Sequence, residues 1–169
     1  PSPGGRQLFE NNAALAGTPV RVVSGPILAK WGLLGYETGL AGLPTGDPSQ
    51  FLSFAGTRGT AQAFQGGVMY AGQSGPQAGK TFLVSGLILA KYTSLGAVSG
   101  VFGTPSNDEF GIDGKRRQDF EGGYISYGLG DAEAQAYQRE RRPAVSVTPT
   151  VISPGGRVRI LIGGFAAGS

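Results

Sequence analysis

Four aromatic and four polar side chains have the types that bind a ligand. Trp31, Tyr92, Tyr70 and Tyr127 offer flat rings, and Gln62, Gln118, Asp47 and Asp108 offer amides and carboxylates. Sugar rings present C–H faces that dock on aromatics and hydroxyls that pair with Asp, Asn, Gln and Arg. The eight therefore form the candidate glycan site, with Trp31 and Tyr92 as stacking platforms and the polar groups as orienters. Four of the eight have a plainer alternative. Trp31 and Tyr92 share a helix face with Ile and Leu, which suits a core; their N–H and O–H still need partners, which suits a groove edge. Gln62 and Gln118 are of a kind that more often satisfies buried loop backbone than binds a ligand. Phe64 and Phe120 are expected in the core.

What the chain lacks narrows the chemistry further. Among 169 residues there is no histidine and no cysteine. A disulfide framework, a thiolate nucleophile, a Cys/His zinc site and a Ser-His-Asp triad are all excluded. Carboxylates are left for acid–base work, so the expectation is a non-enzyme with no cofactor and no metal. Charged residues are only 15%, and the net charge of +3 makes no case for nucleic acid. No run of about 20 apolar residues is present to span a membrane. Glycine and proline number 31 and 11, which together with 40% hydrophobic content implies a compact, turn-rich chain of short elements.

Those elements repeat. Residues 23–47 and 84–108 align without a gap at an offset of 61, with 13 of 25 positions identical. A second block, Gln-x-Phe followed by Gly-Gly, starts at Gln62 and again at Gln118, with a fainter copy at Gln7. Each unit reads as a β-hairpin plus one short helix. The strands are expected at Val68–Ala71 or Tyr124–Tyr127, returning at Val20–Ser24 or Thr81–Ser85. Ser24 and Ser85 are placed as N-caps, and Gly35 and Gly96 as helix stops. Ile27, Trp31 and Leu34, like Ile88, Tyr92 and Leu95, fall on one helical face. Such a unit cannot bury its apolar face alone, so neighbours must complete one another.

Other motifs resolve into structure. Gly75 to Thr81, GPQAGKT, is one residue short of a phosphate-binding loop and leads into a strand, so a hairpin turn is expected. Asn107, Asp108, Glu109 and Asp113 are acidic and amide groups without the spacing of a calcium loop, and Asp113-Gly114 suits a tight turn. Lys115–Arg117 and Arg139–Arg142 are expected as solvated faces. Asp119 and Glu121 flank Phe120 and point away from it, with no second carboxylate placed to make a glycosidase pair.

The repeat resembles the LGFP repeat of actinobacterial cell-envelope proteins. The matching residues are Lys30-Trp31, Leu34-Gly35 and Gly42-Leu43-Pro44, then Lys91-Tyr92, Leu95-Gly96 and Gly103-Thr104-Pro105, with the Phe-x-Gly-Gly blocks at Phe64 and Phe120. The resemblance covers roughly residues 6–137. It implies a secreted, extracellular or cell-wall setting, repeats packed around a pseudo-symmetry axis, and attachment to envelope polysaccharide such as arabinogalactan.

The texture changes near Ala144, giving three segments: LGFP-like repeats at 1–137, with full units at 23–70 and 84–127; a charged hinge at 138–143; and 144–169. This last segment looks like the first strands of an Ig-like or IPT-like sandwich, incomplete where a third strand is due. The fold expected is α+β, mostly β. The leading function is a non-catalytic anchoring module that binds cell-wall polysaccharide. The alternative is a structural subunit of a surface filament or phage particle. In it another polypeptide completes the C-terminal strands, and self-association into a homo-oligomer stays open. Beginning at Pro1 without Met, the sequence is expected to be a mature or excised form.

Overall fold

The computed structural model describes residues 7–9 and 21–140. The expected sandwich strands at 144–169 and the hinge beyond Glu140 lie outside the described residues. Contacts divide the chain after Arg139, and the architecture below belongs to the unit Pro1–Arg139.

The unit is mostly β. Strands β1 (Gln7–Phe9) and β2 (Arg21–Val23) pair antiparallel and lead into helix α1 (Gly25–Leu33). Next come β3 (Ser49–Leu52), β4 (Arg58–Phe64), β5 (Gly67–Gly72) and β6 (Thr81–Ser85), an antiparallel sheet in chain order. Helix α2 (Gly86–Ser94) follows. The second four-stranded sheet is β7 (Phe110–Ile112), β8 (Lys115–Phe120), β9 (Gly123–Gly128) and β10 (Gln135–Gln138).

This corrects the hairpin-plus-helix unit. The expected hairpin of Val68–Ala71 and Thr81–Ser85 is half of a four-stranded sheet: Gln62-x-Phe64 closes β4, and a two-residue turn leads into β5. Strands β3 and β4 occupy residues for which no strand is expected. Their sequence hides them, because Gly59, Ala61 and Ala63 lack the branched side chains that mark strands. Packing demands the small residues: a Cβ on Gly59 would lie 2.3 Å from the carbonyl oxygen of Ala71 on the neighbouring strand.

Burial follows from strand alternation. On β5, Met69 and Ala71 join a cluster with Val23, Ile27, Trp31, Phe64 and Leu83, so α1 packs on one face of the first sheet. Tyr70 faces the other way and joins Val84, Ile88, Tyr92, Phe120 and Ile125, with Ala61 and Val68 packed alongside. Helix α2 thus lies between the first sheet and the second.

The helices begin as placed but are not capped as expected. Ser24 and Ser85 hold the N-cap position in extended backbone, yet neither side chain makes a cap hydrogen bond. At the other end Gly35 and Gly96 take φ of +91° and +88°, the left-handed turn that stops each helix. Four residues on, Gly39 and Gly100 are obligatory, since a Cβ would lie 1.7 Å and 1.9 Å from the carbonyls of Leu34 and Leu95.

Gln62 and Gln118 tie the layers together. Gln62 Nε2 donates to the carbonyls of Val22 (2.9 Å) and Gly46 (3.1 Å). Gln118 Nε2 donates to Leu83 and Asn107, both at 2.9 Å, the same positions one repeat later. Gln118→Met keeps the volume but leaves two carbonyls without a donor. It should cost about 2–4 kcal/mol, read as a lower urea midpoint. An unchanged midpoint would show the amide to be idle.

Candidate functional site

The structure turns the expected stacking platforms inward. Trp31 and Tyr92 are both 0% exposed, so neither ring can meet a sugar. Each satisfies its polar tip on backbone: Trp31 Nε1 donates to the carbonyl of Gly42 at 2.9 Å, and Tyr92 Oη to that of Gly103 at 2.5 Å. Burial, then Tyr70 and the Glu121 charge, push the Tyr92 phenol far up. Tyr70 is buried edge-on to Tyr92 at 5.8 Å, and burial raises it to about 12. Only Tyr127 of the four is half-buried, donating to Glu109 at 3.2 Å. For Trp31 and Tyr92 the core reading is the correct one, and with Trp31 shielded its emission should resist acrylamide quenching until the protein unfolds.

The polar members are structural too. Gln62 and Gln118 are buried in the ties already described. Asp47 pairs with Arg21 at 2.6 Å. Asp108 pairs with Lys30 of α1 at 2.5 Å and accepts from Leu83 N at 3.1 Å. Asp108 and Gln118 thus meet on the backbone of one residue, Leu83, and Tyr70 meets Tyr92; the eight do not converge.

The remaining motifs settle locally. Asp113 and Gly114, at φ +49° and +71°, make the two-residue turn between β7 and β8. Asn107 and Glu109 pair with Asp119 and Arg116. Among the described residues no group of three His, Cys, Asp or Glu could hold a metal ion. Thr81 begins a strand, as expected for a turn rather than a phosphate loop.

A cleft forms elsewhere, with a volume of about 460 Å³. Its polar lining is Thr57, Gln77, Ser106, Glu121 and Arg139, and Phe120 adds apolar surface. The residues come from both sheets. Thr57 sits in the β3–β4 turn, Gln77 in the 3-10 turn between β5 and β6, Glu121 in the β8–β9 turn, and Arg139 directly after β10. Gln77 is 7% exposed, and among the described residues its Oε1 accepts no hydrogen bond.

Glu121 is the electrostatic centre of this cleft. It accepts from Ser53 Oγ at 3.0 Å, from Thr104 N at 2.8 Å and from Thr57 Oγ1. Burial is the largest influence and opposes the charge, but the hydrogen bonds together outweigh it and hold the carboxyl below its ordinary 4.5. A depressed folded pKa stabilises the fold above the unfolded value, and that stability is lost as pH falls through the folded value. Melting temperature should therefore drop between about pH 5 and about pH 3, and drop less in Glu121→Gln. Parallel curves would refute the assignment.

Sequence reading missed this site. Its one signal was a difference between repeats: Glu121 stands where the first unit has Gln65, which accepts from Leu43 N at 2.9 Å in the matching position.

The family model of the LGFP repeat, a repeat associated with cell-envelope proteins, matches residues 42–100. That span holds one whole sheet, β3 to β6, and the helix after it. No curated protein matches the sequence. No helix among the described residues is long and apolar enough to cross a membrane.

Proposed function

We propose that the chain is a non-catalytic cell-envelope module that binds a wall polysaccharide of the arabinogalactan kind and anchors what it is attached to, outside the cell. The cleft at Glu121 carries this reading. A concave site with a few convergent polar groups and one perturbed carboxylate is the form that small ligand sites take. An ionised acceptor, an acceptor amide oxygen, hydroxyls and a guanidinium match a ligand rich in hydroxyls. The similarity of residues 42–100 to an envelope-associated repeat supports the same setting.

The cleft suits binding better than hydrolysis. Glu121 is the one carboxylate in its lining, whereas glycoside hydrolysis ordinarily needs two flanking the bond. Its depressed pKa also works against general-acid duty near neutral pH.

Retention on purified cell walls tests the proposal. The full chain should sediment with walls, and Arg139→Ala or Gln77→Ala should lower retention several-fold, with melting temperatures measured alongside to separate lost binding from lost fold, since among the described residues neither side chain donates to another group. Equal retention of all three removes the cleft from the reading. Reducing ends accumulating from soluble arabinogalactan would end the non-catalytic assignment.

A further inference from the structure

The two sheets are built on one register, so their faces compare position by position. In the first sheet Val68 opposes Val84, and Ala61 opposes Tyr70. All four pack into the cluster beneath α2. In the second sheet the matching pairs are Tyr124 opposite Tyr137 and Arg117 opposite Ser126. The α2-facing side is filled by Ile125, Tyr127 and Ala136, so strand alternation puts Arg117, Tyr124, Ser126 and Tyr137 on the other side. A face that takes a helix in one copy is aromatic and polar in the next.

The side chains on it are ordered. Tyr124 and Tyr137 stack with centroids 4.7 Å apart and planes 17° from parallel. The Arg117 guanidinium lies over the Tyr124 ring at 3.7 Å and pairs with Asp119 at 2.7 Å. Asn107 Nδ2 donates to the same carboxylate at 2.9 Å. Three planar groups lie in a row across β8, β9 and β10, ending at Tyr137 on the edge strand, 43% exposed.

A sheet face that packs on no helix needs polar groups to stay soluble, but solubility does not need a stacked pair of tyrosines. A further helix of the α1 or α2 type would have to bury the Arg117–Asp119 pair, which is costly. That pair also cancels its own charge, so the face has little to offer a charged partner. A neutral ligand with an apolar face and hydroxyl edges is what remains.

We infer that the Arg117–Tyr124–Tyr137 ladder is a second binding surface, on which Tyr137 stacks against a sugar ring of a neutral polysaccharide. The inference rests on the envelope-binding reading and adds a contact that the cleft does not supply. Ring order fixed in advance lowers the entropy lost on binding.

Affinity electrophoresis of the full chain in soluble arabinogalactan tests it, with melting temperatures alongside. Tyr137→Ala should weaken binding by about threefold to tenfold, while Tyr137→Phe and Tyr137→Trp keep it, since the ring and not the hydroxyl makes the contact. Tyr137→Ala binding like wild type overturns the inference, and so does Tyr137→Phe failing as badly as Tyr137→Ala. If Tyr137→Ala melts early, Tyr137→Thr, which suits an edge strand but carries no ring, takes its place: it should weaken binding as much, and its binding like wild type overturns the inference. Loss in Arg139→Ala with none in Tyr137→Ala leaves the cleft reading standing and removes this one. A wild-type chain that the polysaccharide does not retard overturns both.

Discussion

The carbonyl oxygens of Gly42 and Gly103 point into the core, and the rest of each unit is arranged around giving them a donor. Both glycines take a left-handed turn, φ +67° and +61°. The donor comes from the aromatic residue in the last turn of the preceding helix, an indole N–H in one unit and a phenol O–H in the other. Trp and Tyr exchange here because each puts a donor at the far tip of a flat apolar body; Phe would leave the carbonyl buried and unpaired. The next residue is held from the opposite side, its N–H bonded to Gln65 or Glu121 at the hairpin turn. Pro44 and Pro105 then bridge to Phe64 and Phe120 of the strands. Helix, loop and sheet are fastened at one place.

The same logic operates between copies. A Gln on the second strand of each sheet donates to the return strand of the copy before it and to the intervening loop. Asp108 adds a bond from Lys30 on α1 to the backbone of β6. With β5 buried on both faces, no sheet has a core of its own. Stability is therefore shared between the first sheet and the two helices that pack on it.

How legible this was depends on range. The helices, their buried faces, their glycine stops and the Asp113-Gly114 turn rest on local spacing and were readable. The strands β4 and β8 were not. One is too small in its side chains; the other reads as the charge run Lys115–Arg117, although strand alternation sends Arg116 to Glu109 on one side and Arg117 to Asp119 and Tyr124 on the other. The site failed for a similar reason. An aromatic residue with a donor suits a groove edge and a core equally, and only the tertiary position of Gly42 decides. Two of the three donors to Glu121 stand 68 and 64 positions away, at Ser53 and Thr57, beyond any local pattern.

Identity between the repeats identified the scaffold, and the mistake was to look for a site there. The shared or exchangeable residues, Trp31 with Tyr92, Gln62 with Gln118, Asp47 with Asp108, all hold backbone or partner a neighbouring side chain. Packing constrains them in every copy, so they repeat. A binding site is under no such demand, because a single copy suffices. It should then appear where one unit departs from the other at a position whose structural duty is already met or no longer needed. Glu121 still holds the loop N–H that Gln65 holds, and its charge is additional. Tyr137 and Arg117 stand where Val84 and Ala61 support a helix. In a repeat protein of this kind, the substitutions between copies locate candidate function more directly than the residues they share.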